Sequence, residues 1–226
     1  MSTPRAGYFL KDGTKVPGTT TIIGRWKESG GLLQWAFQQG KSGAATLYEE
    51  RDKAADIGTL AHAYCDGWMR DPASMDDVAT LATAARLSGN PDPLRALQAF
   101  SMFKAWVTGQ QATAIPCEEP MISEAHRYGG TPDFMLRIDG TLAMADLKTS
   151  SGIYRDYALQ LAAYSILWDE NHPHDPITGG YHILRLGKDS PDFEHRYFAE
   201  LEDAKKCFLL LREAYDLDLA LKKRIK

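Results

Sequence analysis

Three residues carry the strongest chemical suggestion in the chain: Asp133, Asp146 and Lys148. Asp146 and Lys148 stand at i and i+2, so on a strand both side chains leave the same face. The run before them, Leu142-Ala143-Met144-Ala145, is apolar and reads as buried. An acid and a base emerging together from a buried strand end cost desolvation unless they serve each other or a ligand. D-x-K alone is a short pattern, and a surface ion pair beside a turn explains most of its occurrences. Asp133 changes that weighing. Asp139-Gly140 is the strongest short hairpin signal in the chain. With the turn there, residue 133 lies opposite residue 146, on one face and with side chains in contact range. Two carboxylates so placed repel each other, and a divalent cation resolves the repulsion. Magnesium prefers oxygen ligands and commonly takes one or two carboxylates plus substrate phosphate.

Other polar residues stand at suggestive places. Glu118 and Glu119 lie on the preceding strand-like run, and alternation lets only one of them face the site. His62 follows Gly58-Thr59 on a helix, with Asp66 at i+4 to orient its ring. A lone helical histidine is more often an exposed or core residue than a ligand. Gln160 and Tyr164 are also i and i+4 on one helical face. Tyr164 by itself reads as core.

In this order and spacing the residues resemble the PD-(D/E)xK nuclease superfamily. Pro132-Asp133 supplies the literal "PD", and Asp146-Leu147-Lys148 the second half. Gly58-Thr59-x-x-His62 upstream and Gln160-x-x-x-Tyr164 downstream resemble its RecB-like exonuclease branch. Val16-Pro17-x-Thr19-Thr20-x-Ile22 is similar to the start of phage exonucleases and of the mitochondrial genome maintenance exonuclease. The motifs span residues 58–164, extended more weakly to about residue 16. The resemblance implies a restriction-endonuclease-like mixed sheet flanked by helices. It also implies Mg²⁺ or Mn²⁺, one ion or two, bound by Asp133 and Asp146 with the Leu147 carbonyl and His62 as further ligands. Glu118 stands at the family's spacing for its extra acid and is preferred to Glu119. Lys148 would position the attacking water and stabilise developing phosphate charge. Gln160, Tyr164 and Thr149 would hold the DNA strand. The activity implied is a metal-dependent DNA exonuclease acting on linear ends or single strands, in phage or bacterial recombination, repair or replication. An endonuclease on the same fold and a non-catalytic DNA-binding or assembly module are the alternatives. The loop Ser123-Glu124-Ala125-His126-Arg127 has no counterpart in the family pattern.

Elements must place these residues. A small hairpin is expected over residues 8–17, and residues 19–23 are β-branched and strand-like, although they could begin a helix. Helices are expected over 32–48, 54–69, 74–87 and 93–107. The pattern then changes. Runs over 114–123, 128–138 and 141–147 read as strands, 154–168 as a helix with Tyr157, Leu161, Tyr164 and Trp168 on its apolar face, 180–186 and 193–198 as strands, and 201–221 as a closing helix. The order is an α/β domain with a mixed sheet and an N-terminal helical elaboration. The whole of 1–226 is expected to be one domain, with residues 1–110 the hairpin and helical part and 111–226 the mixed-sheet core.

Composition excludes several classes. With 44% hydrophobic and 25% charged residues, the chain is neither disordered, collagenous nor coiled coil. No apolar run is long enough to cross a bilayer and no leader-like h-region opens the chain, so a cytoplasmic protein, in a bacterial host if phage-encoded, is expected. Cys65, Cys117 and Cys207 form no CxxC pair, which argues against an iron–sulfur cluster, a zinc ribbon or a disulfide framework. The net charge of −4 decides little, because clustered carboxylates lower it by themselves. No P-loop signature is present, so a helicase or recombination partner would be a separate chain.

Overall fold

A computed structural model of the chain describes residues 7–27, 30–41, 47–75, 93–115, 120–187 and 190–225. A five-stranded mixed sheet forms the centre, with helices on both faces. Its strands are β3 (Thr113–Ile115), β6 (Phe134–Ile138), β7 (Thr141–Lys148), β8 (Tyr181–Leu186) and β9 (Phe193–Phe198), in that spatial order. Only β7 and β8 run parallel. A parallel neighbour needs a crossover, and helix α5 (Arg155–Asn171) supplies it. Two short hairpins lie outside this sheet: β1 (Tyr8–Phe9) with β2 (Lys15–Val16), and β4 (Met121–Ser123) with β5 (Tyr128–Gly130).

Side-chain alternation divides the core into two layers. Phe134, Leu136, Ala145, Leu147 and Leu184 face helices α3 (Leu47–Arg70) and α4 (Pro93–Gly109), meeting Ile57, Ala61, Phe100 and Phe103. Met135, Met144 and Ile183 face α1 (Thr19–Arg25), α5 and the last helix, α6 (Glu202–Ile225), meeting Ile22, Leu161, Leu167 and Phe208. Strand β7 is buried on both faces from Leu142 to Leu147, as the apolar run Leu142–Ala145 requires of a central strand. Helix α2 spans Gly30–Lys41.

The structure corrects several expectations. Residues 19–23 are helical: one helical face buries Thr19, Ile22 and Ile23, and this packing overrides the strand preference of β-branched residues. The run 128–138 is two strands in two different sheets. Pro132 has no N–H to give to a ladder, and the chain bends through Thr131–Asp133 between β5 and β6. The run 114–123 likewise splits into β3 and β4 around residues outside the described set. Helix α3 is longer than expected at its N-terminus. The helix expected over 74–87 lies almost wholly outside the described residues, which retain there one 3-10 turn, Pro72–Met75. No helix among the described residues is long and apolar enough to cross a membrane.

Candidate active site

The β6–β7 hairpin has the register that its turn residues demand. Asp139 and Gly140 adopt φ of 49° and 77°, the left-handed pair of a two-residue turn that matches sheet twist. Phe134 accordingly pairs with Ala145, so the next residue outward, Asp133, meets Asp146. Strand β6 begins only at Phe134, opposite Ala145, while β7 continues past that level to Lys148. The exposed flank of β7 is then closed by the Asp133 side chain, whose Oδ2 accepts a 2.9 Å hydrogen bond from the Leu147 N–H.

Asp146 is completely buried. Its Oδ1 meets no hydrogen-bond donor among the described residues. Lys148 Nζ lies 2.6 Å from Oδ2, a buried ion pair. The Asp133 carboxyl is within hydrogen-bonding reach as well, but two carboxylates only accept. Burial and then the neighbouring Asp133 charge drive the Asp146 carboxyl up to about 7, against the pull of Lys148. Asp133 goes the other way. Burial alone would raise it, but His62, Lys148 and the Leu147 N–H together hold it below the usual carboxylate range. The pair thus sits with one carboxyl readily protonated and one ionised.

Helix α3 brings His62 in from the opposite layer. Its Nδ1 is 3.7 Å from Asp133 Oδ2, and the ring also bonds the Leu147 carbonyl. Burial lowers the imidazole pKa, against the opposing pull of Asp133. The expected orienting partner is wrong: Asp66 pairs with Arg70, one turn along, at 3.1 Å. Gly58 lets α3 come this close. A Cβ there would stand 2.7 Å from Thr149 Oγ1.

Helix α5 holds the lysine. Lys148 Nζ donates to Gln160 Oε1 at 3.1 Å, and Gln160 Nε2 donates to Tyr164 Oη at 2.9 Å. The ammonium also lies 4.9 Å from the Tyr157 ring centroid, within cation–π range. Burial alone would lower the Lys148 pKa, but Asp146 and Asp133 outweigh it and keep the amine charged. Tyr164 itself is buried and reaches the site only through Gln160. Its ring packs on Gly130, where a Cβ would stand 2.6 Å from Tyr164 Cε1 and 2.7 Å from Thr19 Oγ1. The N-terminal motif therefore meets the centre through the two glycines: Thr19 Oγ1 donates to the Gly129 carbonyl, and Gly129 N–H to that of Pro17.

A cleft of about 490 Å³ opens over this arrangement. His62, Asp133, Lys148, Thr149 and Gln160 line it, with Gly58 at its α3 wall. The structure so gathers every proposed site residue within the described set. Glu118 and Glu119 lie outside that set. Sequence reasoning overlooked Tyr157 as a site residue, reading it as part of an apolar helix face. Its spacing to Gln160 and Tyr164, i to i+3 and i+7, was the signal that could have marked it.

A buried carboxylate, a second beside it and a backbone carbonyl are oxygen donors that could hold a divalent cation, with an imidazole nearby. Among the described residues, no three His, Cys, Asp or Glu side chains converge closely enough to hold an ion by themselves. Two carboxylates, with water and substrate oxygens completing the shell, suffice for magnesium.

No family model matches the chain, and no curated protein matches it. Among solved structures, the chain is similar to a "putative exonuclease" from Eubacterium rectale at 12% identity, over 74% of this chain and 68% of that one, with a TM-score of 0.47. That distance is too great to transfer a residue role, and the site is argued from its own geometry.

Proposed function

We propose that this protein is a metal-dependent deoxyribonuclease that hydrolyses phosphodiester bonds at DNA ends or in single strands. One observation carries the reading: fully buried Asp146 sits in contact range of both Asp133 and Lys148, and Asp133 and Lys148 open onto a cleft. A purely structural role leaves that costly arrangement without purpose, because two carboxylates crowded against a single lysine repel each other and cost desolvation.

Asp133 and Asp146, with the Leu147 carbonyl and His62, would hold Mg²⁺ or Mn²⁺, and Glu118 would complete the acidic set. A divalent ion in such a site supplies an acidified water and neutralises charge growing on the phosphate. The chain's own groups do the rest. Lys148, kept charged by the two carboxylates, faces the phosphate as a compact positive point and steadies the negative charge that builds during attack. Gln160 holds the lysine at that place, and Tyr164 fixes the rotamer of Gln160. Thr149 and Gln160 line the wall along which the strand would lie.

Digestion of end-labelled linear DNA beside closed circular DNA, in Mg²⁺, Mn²⁺ or EDTA, tests the reading. Loss of the linear label with the circle intact, abolished by EDTA and by Asp146→Asn, is the expected result. Cutting of the circle would make the enzyme an endonuclease. Binding without cleavage in either metal would reduce the chain to a DNA-binding module and overturn the proposal.

A further inference from the structure

A second groove, of about 710 Å³, lies against the N-terminal hairpin, the β4–β5 turn and helix α6. Three cations line it, Lys15, Arg127 and Arg212, against one acid, Asp216. Lys15 and Arg127 are exposed, and among the described residues neither forms an ion pair. Arg212 is unusual for an arginine: its side chain is only 8% exposed. Its Nε and Nη2 both donate to the Arg127 carbonyl, at 3.2 and 2.9 Å. Nη1 lies 2.6 Å from Asp216 Oδ1, an ion pair one helical turn along. The Tyr215 ring stands 5.8 Å from the guanidinium.

The backbone beneath this cluster is uncommon too. Arg127 adopts a φ of 57°, a left-handed conformation that few non-glycine residues take. The two bonds from Arg212 hold its carbonyl there. Strained backbone of this kind persists where the surroundings over-determine it, and such places concentrate at ligand sites. Here the result is that a buried arginine, its guanidinium held by the Arg127 carbonyl and Asp216, fixes the loop that presents an exposed one. The loop is Ser123-Glu124-Ala125-His126-Arg127, the segment the nuclease pattern leaves unexplained. The groove is also tied to the carboxylate site. Tyr8 lines it, and the Tyr8 hydroxyl bonds the Thr131 side chain, two residues before Asp133.

We propose that Lys15 and Arg127, the latter on the loop that Arg212 holds, form a phosphate-binding subsite that grips the backbone of the DNA strand whose bond is broken at the carboxylate cleft. The subsite rests on the nuclease reading for its partner and on its own geometry for its chemistry. A positive groove with aromatic edges tracks a sugar–phosphate backbone without reading bases. Removing a contact there weakens binding across all sequences and leaves the chemical step alone.

The test is binding of a fluorescent single-stranded oligonucleotide in EDTA, where no cleavage occurs, over a series of salt concentrations. The proteins compared are wild type, Lys15→Ala/Arg127→Ala, and Lys206→Ala as a control cation on the exposed side of α6, whose side chain is 75% exposed. Single-strand contacts each contribute roughly 0.7 to the slope of log affinity against log salt, so losing two should flatten it by about 1.4 and weaken binding about tenfold or more. The control should match wild type. Lys15 and Arg127 are exposed, so their replacement should leave the melting temperature unchanged, and Arg212, which holds the loop, is left intact. Wild-type affinity and slope in the double variant would overturn the subsite. So would a wild type that binds no oligonucleotide. Should the protein prove inactive on DNA in every metal yet show the predicted loss, the nuclease reading would fall and the phosphate groove would stand.

Discussion

The sheet buries two polar pairs and treats them oppositely. Asp133 and Asp146 meet where β6 begins beside β7. His182 and His195 meet across β8 and β9, with Nδ1 of one 2.9 Å from Nε2 of the other and their rings stacked at 10°. The histidines share one hydrogen bond, Trp106 stands edge-on to both, and burial pushes His182 down to about 4, although His182 Nε2 finds no partner among the described residues. The carboxylates repel each other when both are ionised, and a single lysine, 2.6 Å from Asp146, faces the two of them. The histidine pair packs against aromatic rings, where burial disfavours its charged form, whereas Asp133 and Lys148 line a cleft. A pair that sheds its charge is at home in a core. Like charges crowded beside a cleft mark a candidate site.

The largest expected effect breaks the carboxylate side of this contrast. Asp146→Asn should lower cleavage by on the order of 10³-fold or more, as removal of an essential group does. In metal-free protein it should leave the melting temperature equal or higher, because an amide can donate to Asp133 where a carboxylate repels it. Mg²⁺ should stabilise wild type and not the variant, since a ligand that binds only the folded state raises its stability. A melting temperature that falls by many degrees, with no metal response in wild type, would make Asp146 a structural acid like the histidine pair.

A smaller effect tests the histidine side. His182 titrates near 6.5 unfolded and about 4 folded, so between those pH values the unfolded chain binds more protons. Stability attributable to this group is therefore complete above about 6.5 and is lost as pH falls toward 4. At about 1.4 kcal/mol per unit, the loss reaches about 3 kcal/mol at most. Urea unfolding of wild type and His182→Gln across that range should show the variant with the shallower slope. Identical slopes would mean that His182 carries no such burden.

Much of this was legible in the residues because local rules agreed with one another. The Asp-Gly turn set the register, and the register put Asp133 against Asp146 before any fold was known. The mixed α/β order followed from periodicity. What escaped was decided at longer range. Residues 19–23 carry a strand composition, yet Ile22 and Ile23 find their burial on a helix packed against α5 and α6. The close packing on Gly130 also had no local signature. Tyr164 and Thr19 come from distant parts of the chain. Tyr157 lay hidden inside an apolar stripe, since a ring that stacks on a lysine and a ring that fills a core have the same sequence signature. The histidine pair was invisible, because 13 residues separate its members and only the β8–β9 register brings them together.

The smallest effect separates holding from packing within the carboxylate site. Gln160 links Lys148 to Tyr164, so the lysine's position depends on a side chain that is itself fixed by a buried hydroxyl. If Tyr164 were only core, Tyr164→Phe would cost about 0.5–1.5 kcal/mol of stability for one lost hydrogen bond and leave turnover alone. If the chain of bonds aims the ammonium, the loss falls on turnover as well. A displacement of about 1 Å can cost on the order of 10²-fold, and a loosened rather than removed anchor should cost less, roughly fivefold to tenfold. Gln160→Ala removes both bonds and should be the worse single variant. Because Tyr164 acts only through Gln160, adding Tyr164→Phe to Gln160→Ala should slow turnover at saturating DNA no further. Metal affinity, read by calorimetry, should be unchanged throughout. Losses that multiply in the double variant would give Tyr164 a route to the reaction that bypasses Gln160, and undiminished turnover in both singles would leave α5 a brace, no more chemical than the histidine pair.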